Sequence, residues 1–204
     1  MKRSQARAFA LMILLVIQTA CGLFASSTPT PLPGWTENAR ELFVDSSAFP
    51  QGWAAELQLE IGDHLEANHV HREFSNPPSS GLVSQDIWRA YTVADAEEKY
   101  VELRQSQFQP RLDPDEMEVP WQPAEEIDFQ SDIADEYYLA CGWEEWAYCQ
   151  FLARYRNYVT YLRLDREAVV GTLDSEGLTF AQMRSVLNAV DSRFVAALER
   201  FSDQ

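Results

Sequence analysis

The chain has 204 residues, 46% hydrophobic and 24% charged, with 6 Trp, 8 Tyr and 11 Phe. This composition excludes wholesale disorder and suits one ordinary domain plus a targeting segment. The formal net charge is −16, from 16 basic and 32 acidic residues. Phosphate backbones and anionic headgroups are repelled at close range, which excludes nucleic acid as a partner.

Lys2, Arg3 and Arg7 precede an unbroken apolar run from Ala8 to Ile17, and Gln18-Thr19-Ala20-Cys21 follows. A basic start, a short apolar stretch and a small residue before a cut site are the layout of a secretory signal. The run Ile17 to Cys21 resembles the lipobox of bacterial lipoproteins. That resemblance implies a diacylglycerol on the Cys21 thiol and cleavage just before it. Gln18 departs from the family pattern, which usually has an apolar residue there. An uncleaved anchor is the alternative, because Ala8 to Ala25 carries no charge. Either way the basic flank stays inside and the rest lies outside. Ala25 to Gly34 is rich in Ser, Thr and Pro, a semi-stiff spacer. Residues 1–20 are thus read as signal peptide, 21–34 as lipid-anchor cysteine and tether, and 35–204 as one extracytoplasmic domain. The expected location is the outer face of a bacterial cell membrane. Without its first 20 residues the chain carries 13 basic against 32 acidic side chains.

Along the domain, Thr36 to Val44 reads as a short amphipathic helix. Phe49-Pro-Gln-Gly-Trp53 reads as a turn framed by aromatics. Alternation predicts strands over Ala55 to Ile61, His69 to Phe74 and Ile87 to Val93. Ala94 to Phe108 is helical, with Ala96, Tyr100, Leu103 and Gln107 on one stripe, and Pro110 stops it. Arg111 to Pro123 is an acidic loop. Ile133 to Cys141 reads as a strand, and Ala147 to Leu164 as a strand or strand pair. Thr179-Phe-Ala-Gln182 is a capping box. It opens a helix with Phe180, Met183, Leu187, Val190, Phe194, Leu198 and Phe201 at three- and four-residue steps. Grouped strands with few helices predict an α+β domain, an antiparallel sheet packed by helices on one face.

With Cys21 set aside, Cys141 and Cys149 form an even pair in an oxidising compartment. Facing each other across a hairpin, they leave a three- or five-residue loop. Closing it contributes about 2.5 kcal/mol on a chain-entropy estimate. Between them lie Trp143 and Trp146, and beyond them Arg154, Tyr155 and Arg156, an aromatic and basic stretch in an acidic protein. Trp or Tyr with Arg suits a binding surface, whereas aromatics alternating along strands are also ordinary sheet residues. His64, His69 and His71 are the residues a transition metal would use, since His69 and His71 share a strand face. No zinc pattern accompanies them, so no metal and no cofactor is expected.

No catalytic elbow, phosphate-binding loop or His-Glu-x-x-His helix is present. The order of elements resembles extracytoplasmic sensor domains of bacterial receptor kinases and related lipoproteins. The resemblance rests on Phe49 to Trp53, a strand running into the Ala96-Glu-Glu-Lys-Tyr100 helix, and a disulfide. The expected function is a tethered, non-catalytic binding or sensor module for an unknown ligand or envelope protein. The alternative is an envelope-acting hydrolase with an Asp/Glu acid–base pair.

Overall fold

The computed structural model describes residues 41–55, 68–77, 81–112, 118–142, 148–165 and 177–201. Contacts divide the chain into Met1–Thr30 and Pro31–Gln204, and the described elements all lie in the second unit. In chain order they are β1 (Ala54–Ala55), β2 (His69–Ser75), β3 (Leu82–Arg89), α1 (Val93–Gln107), β4 (Arg111–Leu112), β5 (Glu118–Val119), β6 (Gln122–Pro123), β7 (Glu136–Gly142), β8 (Tyr148–Tyr155), β9 (Tyr158–Asp165) and α2 (Phe180–Phe201). Strands β1, β2, β3, β9, β8, β7 and β6 lie side by side in one seven-stranded sheet, with every pairing antiparallel. Strands β4 and β5 pair separately.

The sequence dictates which face each helix covers. Phe151, Ala153 and Tyr155 of β8 and Tyr158, Leu162 and Leu164 of β9 point to one side, where they join Met183, Val186, Leu187, Val190, Phe194 and Ala197 of α2. Tyr155 stacks on Phe194 with ring centroids 4.2 Å apart. Leu152, Val159 and Tyr161 point to the other side and meet Ala96, Tyr100 and Leu103 of α1. The α+β class and the antiparallel sheet at its centre are as the sequence leads one to expect. The helices, however, divide between the two faces instead of sharing one. Period-two alternation says that two faces exist, and β8 and β9 are apolar on both, so both need cover.

Both helices begin where local chemistry starts them. The Thr92 side chain accepts from the Asp95 N–H and the Asp95 carboxylate accepts from the Thr92 N–H, a reciprocal cap ahead of α1. Thr179 and Gln182 exchange the same pair of bonds ahead of α2. The Phe49 to Trp53 corner folds inward: Phe49 stacks on both Trp53 and Phe74. Gly52 there has φ +104°, and a Cβ on it would stand 2.8 Å from Asn76 Oδ1. That turn requires glycine.

Strand boundaries differ from expectation for identifiable reasons. Strand β3 starts at Leu82, ahead of Ile87, because buried Gln85 occupies an apolar position in the alternation. Its carboxamide accepts from the Val44 N–H at 3.0 Å and donates to Thr160 Oγ1 at 3.3 Å, so the polar group is satisfied inside the core. The strand ends at Arg89 because Thr92 is already the cap of α1. Strand β7 starts at Glu136, after Ser131 Oγ has accepted from the Ile133 and Ala134 N–H groups. The run from Tyr148 is a strand pair turned at Arg156-Asn157. Of the strand expected over Ala55 to Ile61, residues 54–55 pair with Phe74 and Ser75, and 56–61 lie outside the described residues. So do residues 36–40 of the expected first helix.

Phe194, fully buried against Tyr155 and Tyr158, tests the α2 layer. Phe194→Ala is expected to cost about 3–5 kcal/mol and to lower the melting temperature by about 10 °C. Val101→Ala, on the exposed side of α1, should change stability by less than about 0.5 kcal/mol. Urea melts of the two variants check both values.

Candidate functional site

The antiparallel register of β2 and β3 sets His69 opposite Trp88 and His71 opposite Asp86 on the α1 side of the sheet. There the two imidazoles converge on one atom. His69 Nε2 lies 2.8 Å and His71 Nδ1 2.9 Å from Asp86 Oδ1. An ionised carboxylate only accepts, so each of these nitrogens donates a proton. His71 Nε2 faces Glu73 Oε1 at 3.5 Å. The His69 ring stacks on Trp88 with centroids 4.2 Å apart, and the Lys99 ammonium of α1 sits 5.5 Å from the Trp88 ring centre.

The cluster is partly enclosed, with side-chain exposures of 10% for His69, 19% for His71 and 15% for Asp86. The hydrogen bond to Asp86 is the main force that raises His71, to about 9; burial opposes it and the charges of Asp86 and Glu73 assist. Burial pushes the Asp86 carboxyl up, but the two imidazole hydrogen bonds and charges outweigh it and hold Asp86 below its ordinary value. His71 is therefore an imidazolium at neutral pH, set between two carboxylates.

This geometry bears on metal binding. Both histidine nitrogens that face Asp86 are donors, so neither turns a lone pair toward a common point as a metal requires. Among the described residues no group of three or more His, Cys, Asp or Glu is arranged to hold a metal ion. His64, the third candidate, lies outside the described residues. The partners that the sequence reading missed are Asp86 and Trp88. Their signal was the strand parity of Leu82 to Arg89, which buried Gln85 disguised.

The aromatic and basic stretch is dispersed. Tyr155 is fully buried on the α2 side, and its hydroxyl donates to Asp191. Of the two readings open to it, sheet packing is the one its position matches, because odd positions of β8 face α2. Arg154, 7% exposed, points to the α1 side and pairs with Glu136 at 2.8 Å, Asp135 at 3.1 Å and Glu97 at 3.7 Å. Its guanidinium ties β8 to β7 and α1. Arg156 stays exposed, with φ +55° in the turn between β8 and β9 and its N–H given to Asp135. Trp143 and Trp146 lie outside the described residues. Cys21 does as well.

Cys141 and Cys149 stand directly opposite each other in the β7–β8 ladder and are bonded. Gly142 and Tyr148 form the next pair outward, which leaves five residues for the loop. Trp121 lies over Gly142 so closely that a Cβ there would come within 3.3 Å of its ring. An aromatic roof continues from Trp121 to Tyr148, Phe108 and Tyr138. Arg163 caps Tyr148 at 4.1 Å and Arg104 caps Tyr138 at 3.6 Å.

Neither a protein-family model nor a curated protein matches the chain.

Micromolar zinc, nickel or copper is expected to leave the melting temperature unchanged. A rise of several degrees, lost when His69→Ala and His71→Ala are combined, would show that the imidazoles can exchange their protons for a metal.

Proposed function

We propose that the chain is an exported protein held at the outer face of a bacterial membrane by a lipid on Cys21, and that its domain is a non-catalytic binding or sensing module. The observation that carries this reading is the Cys141–Cys149 bond across β7 and β8. Such bonds persist in oxidising compartments. The pair uses two of the three cysteines and leaves Cys21 in the segment that resembles a lipobox. Among the described residues no helix is long and apolar enough to cross a membrane, so the domain itself supplies no described span to compete with the anchor.

The domain offers a potential ligand a polar sheet face beside α1, where His69, His71, Glu73, Ser84 and Asp86 line adjacent positions of β2 and β3. Its acidic balance favours cationic or neutral partners over phosphate-bearing ones. The hydrolase alternative needs an acid and a base on one side of a substrate. The described Asp residues whose carboxyls are raised, chiefly by burial, are Asp165 and Asp191. Asp165 belongs to the α1 side of β9, whereas Asp191 sits on α2 and accepts from Tyr155. They stand on opposite faces of the sheet, an arrangement that favours binding over hydrolysis.

Cells fed a labelled fatty acid should incorporate it into the wild-type chain and not into Cys21→Ser, which should accumulate as precursor. Equal labelling of the two overturns the lipid anchor. Denatured, unreduced Cys21→Ser protein should show no free thiol; two reactive thiols would remove the disulfide on which the compartment argument rests.

A further inference from the structure

Strand β2 is fastened differently on its two faces. On the α2 side Val70 and Phe74 are fully buried in the main core. On the other side the link to β3 is polar, because His69 and His71 both reach across to Asp86 Oδ1. Beyond β2 the described neighbour is β1, which pairs with it at only Phe74 and Ser75. The stretch from His69 to Glu73 is thus held by its ladder to β3, by Val70 in the core and Arg72 over Phe43 on the α2 side, and by this cluster on the α1 side.

The charged and titratable groups around His71 come from each neighbouring element. Asp86 faces it from β3, and His69 and Glu73 flank it on β2. From β9, Tyr161 stands in register with Asp86, and Arg163 with Ser84 one row away. Lys99 approaches from α1 over Trp88.

We propose that His71, Asp86 and His69 form a proton-operated fastening of β2 to β3, closed while His71 carries its charge and slackened when it does not, so that the domain responds to alkaline surroundings. The proposal gives the sensing reading above its stimulus, and rests on that reading for its purpose. With both nitrogens protonated, His71 neutralises Asp86 and donates toward Glu73 as well. When the Nε2 proton leaves to solvent, that nitrogen presents a lone pair to the Glu73 carboxylate, and Asp86 keeps its charge in a partly enclosed place without the adjoining cation. The folded pKa of about 9 exceeds the ordinary 6.5. The contribution is therefore complete below pH 6.5 and is lost as pH climbs through about 9. Asp86, held low, keeps its charge down into the acid range, so the fastening is closed from mildly acidic to neutral pH.

The test uses the full chain in detergent micelles. Histidine-ring NMR follows the titration of His71, and amide hydrogen exchange compares β2 with β8 at pH 7 and pH 10, corrected for intrinsic rates. His71 should titrate well above its ordinary value. Protection of the β2 amides should fall about tenfold relative to β8 over that interval, the equivalent of one pKa unit of coupling. His71→Gln should abolish this relative loss. The proposal is overturned if His71 titrates near its ordinary value, if β2 and β8 lose protection in parallel, or if His71→Gln keeps the full pH dependence. Should that variant not fold, the wild-type titration and exchange decide alone. None of these measurements reads lipid or location, so failure here and failure of the Cys21 labelling are separate results.

Discussion

Strands β8 and β9 are buried on both faces, and this constraint organises the rest. Every residue of β8 is buried, and β9 is buried at all positions except Arg163 and Asp165. Neither strand can lie at an edge or against solvent without exposing aromatic and aliphatic surface. They take the middle of the sheet, with β3 and β7 as their outer neighbours, and each face acquires a helix. The polar exceptions inside this block are satisfied where they stand: Thr160 bonds Gln85 and the Asp86 carbonyl, and Arg154 is ringed by carboxylates.

The basic side chains follow the same inward logic. Arg72 lies over Phe43, Arg89 over Tyr158, Arg104 over Tyr138 and Arg163 over Tyr148. Arg184, Arg193 and Arg200 pair with Asp128, Asp45 and Glu41. Cations thus serve as local fasteners over rings or beside carboxylates, while the excess acid sets the outward field. Exposed pairs of this kind add little stability individually. Their larger effect is on what the surface repels.

Elements with a strong period were legible in the sequence. The α2 stripe and its Thr179 cap, the α1 stripe, the strand pair after Tyr148 and the even pair Cys141 and Cys149 are all visible in spacing and parity. What was not legible arose from long-range satisfaction of polar groups. Gln85 looks like a solvent-facing residue until Val44 and Thr160, far away in sequence, are found bonded to it. Asp86 looks like one acid among 32 acidic residues until the β2–β3 register places two imidazoles on it. Tyr155 and Arg154 looked alike as binding residues because adjacent positions on a strand reveal their opposite destinations only when both layers are in place.

The closing helix has a consequence for the order in which the fold can be made. Met183, Val186, Leu187, Val190 and Phe194 complete a core that also contains Leu42, Phe43 and Val44 from the near end of the domain. Arg193 and Arg200 reach back to Asp45 and Glu41. The α2 face of the sheet is therefore completed only by contacts between distant parts of the sequence, whose loop closure is slow, whereas α1 covers the other face without any residue of α2. Burial of the first of these faces waits on α2. Until α2 docks, the aromatic and aliphatic side chains of β8 and β9 on that face stay open to water, so the order of assembly fixes how long they are exposed.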